Sequence, residues 1–288
     1  MTDYAVISSD AYSNYSFYAP LTAAVWRARG YTPLLLLVGD EKRWNDDPRL
    51  RIIADKSAHA GAVICFLGEH PQHRPATVAQ LSRLYACALS STLTADDYLL
   101  TSDVDMWPLG SWVGGGRDPS KAFQLYYANA YPDRTNKFPI CYIGARVRSW
   151  LEVMLSRASF YQALNLCAAR PATPENAGIF HRIRDEDIPL DVWTFDETYF
   201  GECLSAWSGF PANCQMIDRD MRRDGERRLD RAGWVDISAL NGYADAHLLR
   251  PGYSAENWSR VRRLFRLLFP DRLAWADAYH AALGAVRS

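Results

Sequence analysis

Two hydrophobic patterns alternate along the first hundred residues. Short apolar runs at Tyr4–Ser8, Pro33–Val38 and Ala62–Leu67, and a fourth that starts at Tyr98 and ends in Asp103 and Asp105, are bounded by polar or turn residues, as buried strands are. Between them, apolar residues recur at helical spacing near Tyr18–Arg29, closed by Gly30, and over Thr77–Leu93, where Val78, Leu81, Tyr85, Ala88 and Leu89 share one face. Strands alternating with helices predict βαβ units and an α/β fold: a mostly parallel, Rossmann-like central sheet flanked by helices. Further strands are expected over Ala122–Tyr127 and Pro139–Gly144. A helix follows with Val147, Trp150, Leu151, Met154 and Leu155 inward, and another opens at Thr194 with Tyr199, Phe200, Cys203, Leu204 and Trp207 buried. Two amphipathic helices, Asn257–Phe269 and Arg272–Val286, end the chain.

Charge narrows the partners. With 32 basic and 33 acidic residues in 288, the formal charge of −1 gives no global attraction to nucleic acid, so anion recognition must be local. The stretch Asp218–Arg231 holds six arginines and five acids and reads as a solvated, internally paired surface. Arg260, Arg262, Arg263 and Arg266 make the first C-terminal helix basic enough to touch a membrane, but packing over the sheet is the expected role. Six cysteines form no Cys-x-x-Cys pair and predict free thiols in a reducing compartment. Tyr4–Ser8 reads as a strand rather than part of a leader and no apolar stretch is long enough to span a bilayer, so a cytoplasmic protein without a transmembrane segment is expected.

The chemistry gathers at strand ends. Residues two apart in a strand point to one side, which would put Asp103 and Asp105 together at a carboxyl end, where open α/β sheets bind ligands. Two such anions call for a cation, and Mg²⁺ or Mn²⁺ held by one or two carboxylates completes its shell with phosphates. Either acid could instead form a turn or cap a following segment. The loop Ser9–Tyr15 would lie at the same edge, offering hydroxyls, an amide and two aromatics to a nucleobase. Gln80, Arg83 and Cys87 share a helix face from which Arg83 could reach a diphosphate. The polar and aromatic connection at 129–137 suits substrate contacts. Thr194 three residues before Glu197 reads as a capping box, which explains Glu197 structurally and leaves Asp196 as the preferred reactive carboxylate. His247 stands between Asp245 and Arg250, with Asp245 a candidate to orient its ring.

These features together resemble the GT-A class of nucleotide-sugar glycosyltransferases: N-terminal βα units, Asp103-Val104-Asp105 after a strand, Asp196-Glu197 opening a later helix, and His247 near the end. Gln80–Tyr85, the Asp pair and Phe138–Gly144 look most like the small glycosyltransferase domains of large algal viruses. The resemblance implies one catalytic domain, with a nucleotide-sugar half at 1–110, an acceptor half at 111–250 and C-terminal helices at 251–288. It implies Asp103, Asp105 and His247 at the metal, with Asp105 chelating the ion, Asp103 on the ribose or a metal-bound water and His247 completing the shell, and Asp196 or Glu197 near the transferred sugar. Ser8, Ser9, Tyr12, Asn14, Arg83, Ser102, Asp103 and Val104 are the expected donor contacts. Imidazole beside carboxylates favours Mn²⁺ over Mg²⁺. The implied activity is hexosyl or deoxyhexosyl transfer from a UDP-sugar to a glycan or other hydroxyl acceptor.

Two rival classes use parts of the same set. A phosphohydrolase would use Asp103 as nucleophile, although such folds place their acids after the first strand, which here ends in Ser8-Ser9-Asp10. A silent carbohydrate- or nucleotide-binding module would keep the aromatic loops without the metal.

Overall fold

Alternation along the first two strands sets the layers. In β1 (Asp3–Asp10), Ala5 and Ile7 face one way with Leu35 and Leu37 of β2 (Thr32–Val38), while Tyr4 and Val6 face the other way with Leu34 and Leu36. Both faces are therefore apolar and both are covered, which is why these strands read as continuous hydrophobic runs. The first face packs on the helix Ala19–Ala28 and on the C-terminal helices Ala255–Leu268 and Leu273–Ala285. The second packs on helices Pro75–Leu84, Val147–Leu155 and Phe195–Ala206.

This computed structural model describes residues 1–131, 136–171, 173–174, 177–183, 186–234 and 239–286. The expected substrate loop at 129–137 thus lies partly outside the described residues. After β1 and β2 come β3 (Val63–Leu67), β4 (Tyr98–Ser102), β5 (Met106–Pro108), β6 (Phe123–Tyr126), β7 (Ile143–Arg146), β8 (Phe180–Ile183), β9 (Glu186–Pro189), β10 (Cys214–Ile217), β11 (Arg227–Leu229) and β12 (Tyr243–His247). Seven of these form the central sheet in the order β10-β6-β7-β4-β1-β2-β3. Only β7 runs against its neighbours in it, so the expected mostly parallel α/β sheet is what the chain builds. A smaller sheet, β11-β12-β5, stands beside it, and β8 pairs with β9.

Several boundaries differ from expectation. The helix expected over Thr77–Leu93 breaks at Tyr85 and resumes only as Ala86–Leu89, which sends Cys87 into the core instead of onto the face of Gln80 and Arg83. The strand expected over Pro139–Gly144 begins as a 3₁₀ turn, Ile140–Tyr142, before β7. On the helix Ala255–Leu268, Trp258, Val261, Leu264 and Phe265 are buried against the sheet, and Arg262 pins the next helix through Asp277 at 2.6 and 2.8 Å. The six cysteines are unpaired. Among the described residues no helix is long and apolar enough to cross a membrane.

Candidate active site

In the sheet β1 is paired with β2 on one side and with β4 on the other, and a pocket of about 400 Å³ opens at the carboxyl ends of β1 and β4. Its floor is Ser8, Ser9 and Asp10 from β1 and Asp103, Val104 and Asp105 from the link between β4 and β5. That link carries the chain from the large sheet to the small one. Asp103 and Asp105 therefore lie in a turn after the strand ends at Ser102, not within the strand as expected. They reach one pocket from different backbone positions and meet different partners.

Asp103, half-buried, pairs with Arg83, whose other nitrogen, Nη2, lies 2.9 Å from Asp196 Oδ2. Burial works against each charge in this triad, but the opposite charges decide two of the three. Asp103 is held below the usual carboxylate range and Arg83 above the usual guanidinium range. Asp196, buried beside Asp103 as well as Arg83, is instead raised. Arg83 thus bridges the Asp-x-Asp turn and the Asp196 helix rather than standing at a surface.

The capping box expected at Thr194 does not form. A short turn, Leu190–Trp193, precedes Thr194, whose hydroxyl donates back to the Leu190 carbonyl at 3.1 Å and makes no side-chain cap. Glu197 is released to the pocket, where it accepts from Tyr131 Oη and lies 3.3 Å from Lys137 Nζ. Burial and the neighbouring Asp196 push its carboxyl up to about 7. Gly201, one turn on, permits this arrangement, because a Cβ there would collide with the Asn136 carbonyl beside Lys137.

On the opposite wall, His247 ends β12. Its Nδ1 lies 3.1 Å from Asp230 Oδ1 and its Nε2 3.6 Å from Asp105 Oδ2. A carboxylate only accepts, so the 3.1 Å contact to Asp230 is a hydrogen bond that Nδ1 donates, while Nε2 at 3.6 Å stands beyond hydrogen-bond reach of Asp105. The hydrogen bond from His247 is the main cause that holds Asp230 well below the usual carboxylate range. Asp245, expected to orient the ring, is engaged by two arginines instead. It is fully buried, with Arg219 Nη1 and Nη2 each at 2.8 Å and Arg228 Nη2 at 2.9 Å. The orienting acid is Asp230, from a stretch expected to be solvated.

That stretch supplies more of the site. Arg228 and Arg231 line the pocket, as does Arg250, and Arg231 pairs with Asp105 while Arg250 Nε lies 3.9 Å from it. Burial lowers Arg250 to about 10, which leaves it charged at neutral pH. Tyr127 also lines the pocket, at the left-handed φ of 61° that side chains rarely adopt, and its ring lies 5.4 and 5.7 Å from the guanidinium carbons of Arg219 and Arg228. Tyr15 and Trp193 make an aromatic wall, ring centroids 6.4 Å apart, with Arg250 over Tyr15.

Not every expected contact reaches the pocket. Ser8, Ser9, Arg83, Asp103, Val104, Asp105, Asp196, Glu197 and His247 line it. Ser8 donates to the Ala79 carbonyl at 2.6 Å, and the Val104 carbonyl accepts from Thr22. Tyr12 turns outward, donating to Glu69 at 3.0 Å beneath Arg43. Asn14 opens a 3₁₀ turn outside the lining. Ser102 points into the core, accepting from Trp26 Nε1 at 3.0 Å. Period two in β4 carries it away from the site.

The two atoms that face each other across 3.6 Å, Asp105 Oδ2 and His247 Nε2, suit a divalent cation, with Asp230 behind the imidazole as acids stand behind ligating histidines. Asp103, expected beside the metal, is engaged by Arg83 instead, and among the described residues no three acidic, histidine or cysteine side chains come together as a complete metal cluster. The donor set therefore fits an ion with two protein ligands that takes the rest of its shell from water and phosphate.

No family model matches the chain, and no curated protein matches it. Solved structures do. An active-site variant of the glycosyltransferase LgtC aligns at 12% identity over 95% of each chain with a TM-score of 0.50. The galactosyltransferase LgtC with donor and acceptor sugar analogues aligns at 11% identity over 99% of this chain and 96% of that one, TM-score 0.45. A glycosyltransferase involved in glycosylation of the major capsid of PBCV-1 aligns at 10% identity over 91% and 98%, TM-score 0.42. The chain thus has the fold of the GT-A glycosyltransferases, as its motifs suggested.

Proposed function

We propose that the protein transfers a sugar from a nucleoside diphosphate sugar, UDP-linked in preference to GDP-linked, to a hydroxyl of a glycan acceptor. The observation that carries this reading is the make-up of the pocket. Asp103, Asp105 and His247 share one cavity with Arg228, Arg231 and Arg250, at the strand ends where this fold binds ligands. Acids alone would repel a diphosphate, and arginines alone would need no histidine. Together they suit a diphosphate that arrives with a cation.

Asp105 and His247 would hold that cation, Mn²⁺ or Mg²⁺. When bound, it would stabilise the negative charge that develops on the leaving phosphate as the bond to the anomeric carbon breaks. Arg228 is fixed for anion contact by Asp245, and Arg250 adds a second charge on the same wall. Tyr15 and Trp193 supply flat surfaces for a base or a sugar ring. Asp196 is committed to Arg83, so its part is to hold the Asp103 turn against the helix Phe195–Ala206. Glu197, with its carboxyl near 7, is the group we place at the reacting sugar, where it can take the proton of an attacking hydroxyl.

Incubation of the protein with a panel of UDP- and GDP-sugars and Mn²⁺ tests the reading. One donor should be consumed with release of the nucleoside diphosphate. Release of inorganic phosphate would favour the phosphohydrolase, and binding of free glycans without donor turnover would favour the silent module.

A further inference from the structure

We infer that Arg231 is the resident counter-ion of Asp105, that a divalent cation displaces it, and that the displaced guanidinium then binds the donor's diphosphate. The inference rests on the reading of the pocket as a metal-dependent nucleotide-sugar site and assigns that site a coupling device.

Asp105 has a side chain only 4% exposed, so its charge requires a partner in the protein. Three positively charged or titratable groups converge on one of its oxygens, Oδ2: Arg231 Nη2 in direct contact, His247 Nε2 at 3.6 Å and Arg250 Nε at 3.9 Å. His247 Nε2, at 3.6 Å, stands beyond hydrogen-bond reach of that oxygen. Arg250 stands beyond hydrogen-bond reach. Arg231 alone closes the contact.

A dication bound between Asp105 and His247 needs the same lone pairs and would face the guanidinium at contact distance. Two cations so close repel strongly where water is scarce, so one must leave. The backbone of Arg231 is held beside the metal ligands, since its N–H donates to Asp230 Oδ1 at 2.7 Å, the oxygen that also lies by His247. Its Nε donates to the Leu248 carbonyl at 2.9 Å, and because Nε and Nη2 belong to one planar guanidinium, the swing away from Asp105 releases that bond as well. The whole guanidinium can therefore move about the side chain's rotatable bonds while its base stays in place. The anion within reach of the swing is a diphosphate in the same pocket, beside Arg228 and Arg250. Metal and diphosphate then bind cooperatively, and the coupling is reciprocal.

The test is Mn²⁺ binding by electron paramagnetic resonance, with and without UDP, for the wild type, Arg231→Gln and Arg231→Lys. Without UDP, Arg231→Gln should bind Mn²⁺ about tenfold or more tightly than the wild type, since the competitor is gone, and UDP should then add at least about tenfold less to Mn²⁺ affinity than it does in the wild type. Arg231→Lys, with a shorter reach to Asp105, should move in the same direction by a smaller factor and keeps the test open if the glutamine variant does not fold. Mn²⁺ affinity unchanged or weakened in both variants would overturn the counter-ion role. Tighter Mn²⁺ binding with the wild-type response to UDP would overturn the diphosphate step. A wild type that binds Mn²⁺ but never UDP would reject the nucleotide-sugar reading, while the comparison in Mn²⁺ alone still decides whether Arg231 guards Asp105.

Discussion

The two sheets that meet at the pocket are held together by opposite means. In the large sheet, β1 and β2 bury apolar side chains on both faces, and Leu34, Leu35, Leu36 and Leu37 are all inaccessible to solvent. In the small sheet, the centre is an ion cluster: the side chains of Asp245 and Arg219 are wholly buried, and Arg228 closes over them. Apolar packing gives the first sheet tolerance, because neighbours can relax around a change. The second has no such slack, since each buried charge depends on a partner in a fixed place. The rigid ion cluster stands beneath the wall where Arg228, Arg231 and His247 must be aimed.

The largest effect that separates the sheets should come from Asp245→Ala, which leaves Arg219 and Arg228 without their carboxylate. Removal of one partner from a buried ion pair costs about 3–5 kcal/mol. Urea unfolding should show that loss together with weakened UDP binding, as Arg228 loses its orientation. Leu36→Ala should cost about 2–5 kcal/mol, with UDP affinity retained in the fraction that is folded. If Asp245→Ala unfolds no more readily than the wild type, the ion cluster is not what holds the small sheet.

A smaller effect concerns Glu197. Its carboxyl is raised from 4.5 to about 7 by burial and by Asp196, so the native state keeps a proton that the unfolded chain has already lost. The stability this contributes is full below about pH 4.5 and is lost as pH rises through 7. Glu197→Gln removes the dependence. Relative to the wild type, the variant should gain on the order of 1–3 kcal/mol between pH 4 and pH 8 in urea unfolding of the metal-free protein. Parallel pH curves for the two proteins would show that Glu197 titrates normally. The smallest effect belongs to Tyr12, which donates to Glu69 outside the pocket. Tyr12→Phe should shift stability by no more than about 0.5 kcal/mol and leave UDP affinity unchanged in calorimetry. A marked loss of UDP affinity would return the nucleobase contact to this residue.

The same contrast explains what the sequence discloses. Hydrophobic periodicity is written by burial itself, so the strands at Tyr4, Pro33 and Ala62, the first helix and the two C-terminal helices are legible within a residue or two, while the helix expected from Thr77 breaks at Tyr85. The acids Asp103, Asp105 and Asp196 and the remote His247 are legible as a set because their residue types share a chemistry. Charge patterning has no such link to burial. Arg219 and Arg231 both lie in a run that reads as solvated, yet the first is buried beneath the site and the second sits on Asp105. Period two was the available signal, since Arg228 and Asp230 flank the core residue Leu229 and therefore share a side. Likewise Thr194-x-x-Glu197 matches a capping box, but the turn at Leu190–Trp193 takes the Thr194 hydroxyl first.

Calorimetric titration of UDP, in Mn²⁺ and then in EDTA, on the wild type and on His247→Ala, decides whether a cation held by Asp105 and His247 carries the diphosphate. UDP binding in Mn²⁺ should weaken at least about tenfold on chelation, and His247→Ala should keep its fold but bind in Mn²⁺ no better than the wild type does in EDTA. UDP affinity that is the same with and without the ion, in both proteins, would contradict that role for the cation.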